Sequence, residues 1–312
     1  SGWISSDLPD LFSSGKNSAQ LMCISPLHGI ICVPPSFSRS NPIVYRFKQT
    51  GTDPEKVTLL IQTEYGDHLS TDISSVYYNK PGTVLMMYGT RSVYVCSIPR
   101  KQISSYSNSN RWGLLPVYEK YFVKNSSSKL LKAAWHPLSS RHLALLVEHR
   151  DNVHFLLFDV TSDLENPEQN YCITKLLPKY KDTTITSFCF SNLKSNWDLF
   201  SVYFQTKSGQ IFLLCPVIPY NMVIHESLLE DIRDSNDDKA QKWLDIFRTH
   251  GTDIVKTIAP KRNPLLYLQG PLLWKPDDVH KFQETTTGWD GLYSYSNEDD
   301  SSLILVQTHS GA

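Results

Sequence analysis

Several familiar signatures are missing from this 312-residue chain, and each absence removes a class of function. There is no G-x-S-x-G elbow, Walker loop, H-E-x-x-H or C-x-x-C motif, so the commonest hydrolase, nucleotide-binding and zinc chemistries have no foothold. No apolar run approaches the roughly 20 residues that cross a bilayer as a helix; the longest are strand-sized. Neither sign of charge is in excess, with a formal net charge of −1, so nothing global favours nucleic acid or an anionic membrane as a partner. The opening SGWISSDLPDLF lacks the basic and apolar regions of a signal peptide, and without one the sequon Asn125-Ser126-Ser127 reads as silent. Cys23, Cys32, Cys96, Cys172, Cys189 and Cys215 are scattered through apolar, strand-like runs, which reads as buried thiols in a reducing compartment. The acidic run at 230–238 lacks the glycine and closing glutamate of a calcium loop and reads as a solvated linker. PKRNP at 260–264 is too small a basic spot to argue for nucleic acid. No catalytic residue, metal or cofactor is expected.

What the chain does contain is a repeated strand phrase. In LLKAAWHPLSSRHLALLVEHRDNVHFLLFDV (130–160), LLKAAW and LALLV read as buried strands and VHFLLFDV as a third, rich in β-branched and aromatic residues. HPLSSRH and EHRDN are turns. The phrase recurs from Ile73 to Pro99 and from Ile185 to Pro219. One strand begins at Val84, Leu143 and Val202, and its partner begins at Val93, Val153 and Ile211. A further copy is visible at Leu21 with Ile30, and another starts at Leu303, where QTHSG matches QTKSG at 205–209. The fourth strands of the units read as NPIVYRF, VYEKYFV, YCITKLL and LLYLQGPLLW.

Copies spaced by about sixty residues predict an all-β chain, a β-propeller with four to five blades visible. One four-stranded blade cannot bury both faces, and stacked blades bury them against each other. Residues 1–312 are expected to form one incomplete propeller domain, ending mid-blade, as part of a seven-bladed ring. The last interval is longer by about forty residues, a predicted helical insertion at 223–262. There Ala240, Trp243, Leu244 and Phe247 recur at i, i+3, i+4 and i+7, an amphipathic helix. A shorter helical stretch is expected at 226–233. The Trp243/Leu244/Phe247 stripe either packs onto the blade rim or presents a face to a partner. His136, His142 and His149 read as solvent-facing or turn-packed, not catalytic. Asp151-Asn152 reads as turn chemistry, and Trp289-Asp290-Gly291 as a turn beside a packed Trp.

Four segments, in this order, resemble the nucleoporin 88 family, called nucleoporin 82 in yeasts: LMMYGTRSVYVCSIPRK (85–101), Val117–Val160 with Tyr121-Phe122, Trp135-His136-Pro137 and Asp151-Asn152, SGQIFLLCPVIPYNMVIHESLLEDI (208–232) and LQGPLLWKP (268–276). The resemblance spans about residues 75–310. It implies a structural nucleoporin on the cytoplasmic side of the nuclear pore complex. Its propeller would dock a nucleoporin 98-type autoproteolytic domain and a nucleoporin 214/159-type C-terminal helix, in support of mRNA export. It implies no enzyme activity, no direct nucleic acid and no membrane insertion. Contact residues are not carried over. The surfaces expected to meet such partners are the insertion helices (Leu228, Leu229, Ile232, Trp243, Phe247) and the loop at Tyr180-Lys181-Asp182, through helix-in-groove burial with a polar rim. Two other readings of the same sequence stay open: a propeller adaptor of a vesicle coat or ubiquitin ligase, and a propeller enzyme.

Overall fold

The computed structural model describes residues 22–25, 29–33, 43–47, 55–63, 72–98, 111–177, 184–191, 196–235, 238–259, 267–269, 289–296 and 303–309. Strands dominate. The first eight are β1 (Met22–Ser25), β2 (Gly29–Cys32), β3 (Ile43–Phe47), β4 (Glu55–Ile61), β5 (Ser75–Tyr78), β6 (Val84–Tyr88), β7 (Val93–Ser97) and β8 (Arg111–Pro116). They form one sheet in the order β1-β2-β3-β4-β8-β7-β6-β5. The two four-stranded meanders are joined by a parallel ladder between β4 and β8, from Thr58↔Arg111 to Ile61↔Leu114, and β1 lies against β5.

After helix α1 (Glu119–Lys124) come β9 (Lys129–Trp135), β10 (His142–His149), β11 (Asn152–Asp159) and β12 (Gln169–Cys172), ordered β12-β11-β10-β9. Helix α2 (Ile173–Leu176) leads to β13 (Ile185–Phe190), β14 (Val202–Thr206) and β15 (Ile211–Cys215). Next come β16 (Val223–His225), a 3-10 turn at Glu226–Leu229, α3 (Glu230–Arg233), α4 (Asp238–Leu244), β17 (Phe247–Thr249) and β18 (Ile254–Thr257). β19 (Tyr267–Gln269) completes the sheet β13-β14-β15-β19, and β20 (Trp289–Ser296) pairs with β21 (Leu303–His309).

The repeat is real. β6, β10 and β14 are each the second strand of their sheet and begin at or within one residue of Val84, Leu143 and Val202; β7, β11 and β15 are each the third. These central strands are buried on both faces over most of their length, which is why they show no alternation. β8, the fourth strand of its meander, alternates strictly between exposed and buried. β21 is likewise the second strand of its pair. Of its predicted turn QTHSG at 307–311, residues 307–309 belong to β21 and 310–311 lie outside the described residues.

Four details differ from the sequence reading. The Leu21 hairpin is one strand out of phase, because β1 and β2 are first and second, not second and third. NPIVYRF is accordingly a third strand, with β4 the fourth. VYEKYFV is helix α1, and β8 is the fourth strand instead. Its aromatic pattern imitates a strand, but Tyr118 turns left-handed at φ 59 immediately after Pro116-Val117, and its amide donates to the Leu164 carbonyl at 2.7 Å. The Tyr118 ring meets Phe122 and Phe158 edge-on. YCITKLL is a strand only to Cys172, after which α2 begins.

The chain divides into two compact units, residues 1–135 with 158–167, and residues 136–157 with 168–312. Within the first, the Leu130 amide donates to the Thr90 carbonyl at 2.7 Å and Arg91 donates to the Phe122 carbonyl at 2.9 Å. Within the second, Phe155 packs edge-on against Phe188 (5.1 Å) and Phe204 (5.3 Å), so β11 shares a core with β13 and β14. Of the cysteines, Cys23, Cys32, Cys96 and Cys189 are buried and Cys172 and Cys215 half-buried, all as free thiols. Burial pushes the Cys23 and Cys96 thiols up to about 12, which keeps them protonated and inert.

Candidate functional site

The insertion separates β15 from its ladder partner β19, so it interrupts one sheet between its third and fourth strands. It is a small folded module. β16, β18 and β17 form a three-stranded antiparallel sheet with β18 in the centre. The 3-10 turn, α3 and α4 lie between β16 and β17 in the chain.

One cluster holds the module together. Leu229, Ile232, Ala240, Trp243, Ile246 and Phe247 pack with Ile224 and Val255 of the small sheet, with Leu199 and Phe200 of a 3-10 turn at Asn196–Phe200, and with Ile218 and Met222 of the loop that leads into the insertion. Trp243 is 1 % exposed, its ring about 5 Å from Trp197, Phe200 and Phe247. The helices close locally. His225 caps the 3-10 turn by accepting the Ser227 amide, and Gln241 donates to the Arg233 and Ser235 carbonyls, satisfying backbone groups at the end of α3. Glu226 pairs with Arg233 at 2.7 Å, a half-exposed bridge of small energetic weight.

The lead-in loop at 216–222 is tied down from three sides. Thr257, fully buried, donates to the Pro219 carbonyl at 2.7 Å and accepts from the Met222 amide at 2.9 Å. Gln169 donates to the Ile218 carbonyl at 2.7 Å, Glu168 accepts from the Tyr220 amide at 3.0 Å, and Arg141 donates to the Asn221 carbonyl at 2.9 Å. Under this loop lie two histidines. His136 packs edge-on against Phe190 and accepts from the Leu138 amide at 3.2 Å. His142 has Nδ1 2.6 Å from Ser139 Oγ and Nε2 3.7 Å from Glu168 Oε2. Both are buried, so of the two readings, solvent-facing or turn-packed, His136 and His142 take the second. Desolvation, reinforced by neighbouring His142, pulls His136 down to about 3 despite its contact with the Val217 backbone. It is a neutral structural imidazole.

The predicted site residues fall as follows. Leu229, Ile232, Trp243 and Phe247 converge on the one cluster, all buried, with Leu228 packed partly buried against it. The apolar stripe therefore faces inward. Phe247 sits on β17, not on the helix, because α4 ends at Leu244. Tyr180, Lys181 and Asp182 lie outside the described residues. Sequence reading missed the three short strands, although MVIH and DIVKTI carry the β-branched alternation that announces them. Among the described residues no group of three or more His, Cys, Asp or Glu side chains is placed to hold a metal.

Comparison with known proteins gives the family. A model of the family described as "Nup88: Nuclear pore component" matches residues 39–199, just over half of the chain. The nuclear pore complex protein NUP88 of Arabidopsis thaliana is 31 % identical over 169 residues, which cover 53 % of this chain and 20 % of that protein. Nucleoporin nup82 of Schizosaccharomyces pombe is 32 % identical over 120 residues, 36 % of this chain and 14 % of that protein. The chain thus spans a fifth or less of the curated relatives it matches. In three dimensions it is similar to a chain of the Chaetomium thermophilum Nup82 NTD–Nup159 TAIL–Nup145N APD complex, with a TM-score of 0.69 and 14 % identity over 98 % of this chain and 69 % of that one. It is also similar to a chain of the yeast Nup82–Nup159–Nup116 complex, with a TM-score of 0.58 and 14 % identity over 92 % and 67 %. At that identity the likeness shows the fold, a β-propeller with few helices. With repeated four-stranded sheets, a folded insertion and a family match over more than half its length, the chain belongs to the Nup88 family of nuclear pore components.

Proposed function

We propose that this chain is a non-enzymatic docking module on the cytoplasmic side of the nuclear pore complex. It holds a Nup159-type tail and a Nup145N- or Nup116-type domain, and through them supports mRNA export. The observation that carries this reading is the insertion: a folded module, packed on the 199–222 segment through one apolar cluster and built into a sheet of a propeller whose solved counterparts stand in heterotrimers with such partners. Within this reading, buried Leu229, Ile232, Trp243 and Phe247 hold the module in shape, and half-buried Leu228 with the exposed residues around it meets the partner. The loop at Tyr180-Lys181-Asp182 is proposed as an additional contact.

Size-exclusion chromatography with light scattering tests this. The purified chain is mixed with a Nup159-type tail peptide and a Nup145N-type domain from the same organism. Expected are stable complexes, and weaker capture by Leu228→Asp with an unchanged thermal melt. Failure to bind either partner well above micromolar concentration overturns the proposal.

A further inference from the structure

The small sheet of the insertion has two unlike faces. Ile224, Val255, Thr257 and Phe247 point into the cluster or the lead-in loop. Strand register places the others on the outward face. Val223, Lys256 and Arg248 form one row across the three strands, and His225 pairs with Ile254 in the next. Ile258 follows Lys256 by two residues along the same line. Val223 is 46 % exposed, and Ile254 and Ile258 are each 37 % exposed. Three sizeable apolar side chains thus stand open on one face, interleaved with a lysine, an arginine and a histidine. The sequences of the three strands, VIH, FRT and IVKT, contain no carboxylate. The nearest acids in the chain, Glu226, Asp245 and Asp253, lie beyond the strand ends, and Glu226 is engaged by Arg233.

Arg248 adds a second feature. It donates to the Phe247 carbonyl at 2.9 Å and to the Asp245 carbonyl. The guanidinium therefore guards the outer edge of β17 against strand pairing, while its charge stays on the face. A contact along that edge is disfavoured, and a contact over the face is left open.

We propose that this outward face docks a partner segment that is acidic and carries apolar side chains. Its carboxylates would meet Lys256 and Arg248 while its apolar groups cover Val223, Ile254 and Ile258. Charge complementarity selects that chemistry: a neutral apolar segment leaves the basic groups desolvated and unpaired, and a basic one is repelled. The inference is independent of whether the other surfaces of the insertion hold nucleoporin partners.

The test uses the purified chain and three labelled synthetic peptides of equal length: glutamate with valine and leucine, lysine with valine and leucine, and glutamate with serine. Fluorescence anisotropy is expected to show binding of the first alone, weakening between about 0.05 and 0.5 M salt. Lys256→Glu is expected to lower that affinity by at least about tenfold and to admit the lysine peptide. Val223→Ser with Ile254→Ser is expected to lower it with the thermal melt unchanged. Equal binding of the acidic and basic apolar peptides, or an affinity indifferent to Lys256→Glu, overturns the proposal. So does a concentration-dependent dimer of the chain alone that Lys256→Glu abolishes, since a second copy would then be the occupant.

Discussion

Lowering the pH from 7.5 to 5 should loosen the second unit through one side chain, His136. In the folded protein its imidazole is neutral, drawn down to about 3 by burial under the 216–222 loop and by His142. In the unfolded chain it titrates near 6.5. A depressed histidine contributes stability that is intact above about 6.5 and drains away as the pH falls toward 3, because only the unfolded chain takes up the proton. Linkage over that interval gives a loss of about 2 kcal/mol by pH 5. For a unit of this size that is a drop of several degrees in melting temperature. Carboxylates add their own acid dependence, so the diagnostic quantity is a difference. His136→Gln cannot charge, and it should be less stable than the parent at pH 7.5, having lost the fit against Phe190. The gap should narrow by about 2 kcal/mol at pH 5. Urea titrations of both proteins at the two pH values measure it. Parallel pH dependences would show that His136 protonates freely in the folded state, and the argument from burial would fail.

Other perturbations test the packing. Trp243→Ala empties the centre of the insertion cluster and should cost about 3–5 kcal/mol, read as lost hydrogen-exchange protection at 223–257 while β10 and β11 stay protected. Phe155→Ala removes the ring shared by β11, β13 and β14; a similar loss should appear as a lowered urea midpoint of the whole second unit. Gly89→Ala is the sharpest backbone test. A Cβ there would lie 1.4 Å from the Asp72 carbonyl oxygen, so the 72–75 segment must move, and the expected loss exceeds the about 1 kcal/mol of an average substitution. A melting temperature equal to the parent's would show that the segment yields freely.

The hairpins were legible because each announces itself within twenty residues: two central strands, continuously apolar, flank a polar turn, as at Val84–Ser97, His142–Asp159 and Val202–Cys215. The insertion was legible as an interruption of the period, and its helices from the spacing of Ala240 and Trp243. Its sheet was not, because strands of three and four residues give a period-2 pattern almost nothing to repeat in. Inward or outward orientation of the Trp243 stripe was also undetermined, since an amphipathic helix has the same spacing whether it covers its own core or a partner's. Whether His136 faced solvent or packed under its turn was undetermined for a related reason. The sequence reveals the turn that carries it, and only the fold brings a loop eighty residues later over the top. Helix α1 was misread because aromatic and β-branched residues in VYEKYFV imitate a strand until the contacts of Tyr118 and Glu119 with distant loops decide otherwise.

The parallel ladder between β4 and β8 has a mechanical consequence. Four residue pairs lock the rims of the first two meanders side by side. Separating either meander from the other means rupturing that ladder. One continuous hydrogen-bonded sheet then runs through both meanders, and amide protons from β2 through β8 should leave as one cooperative block.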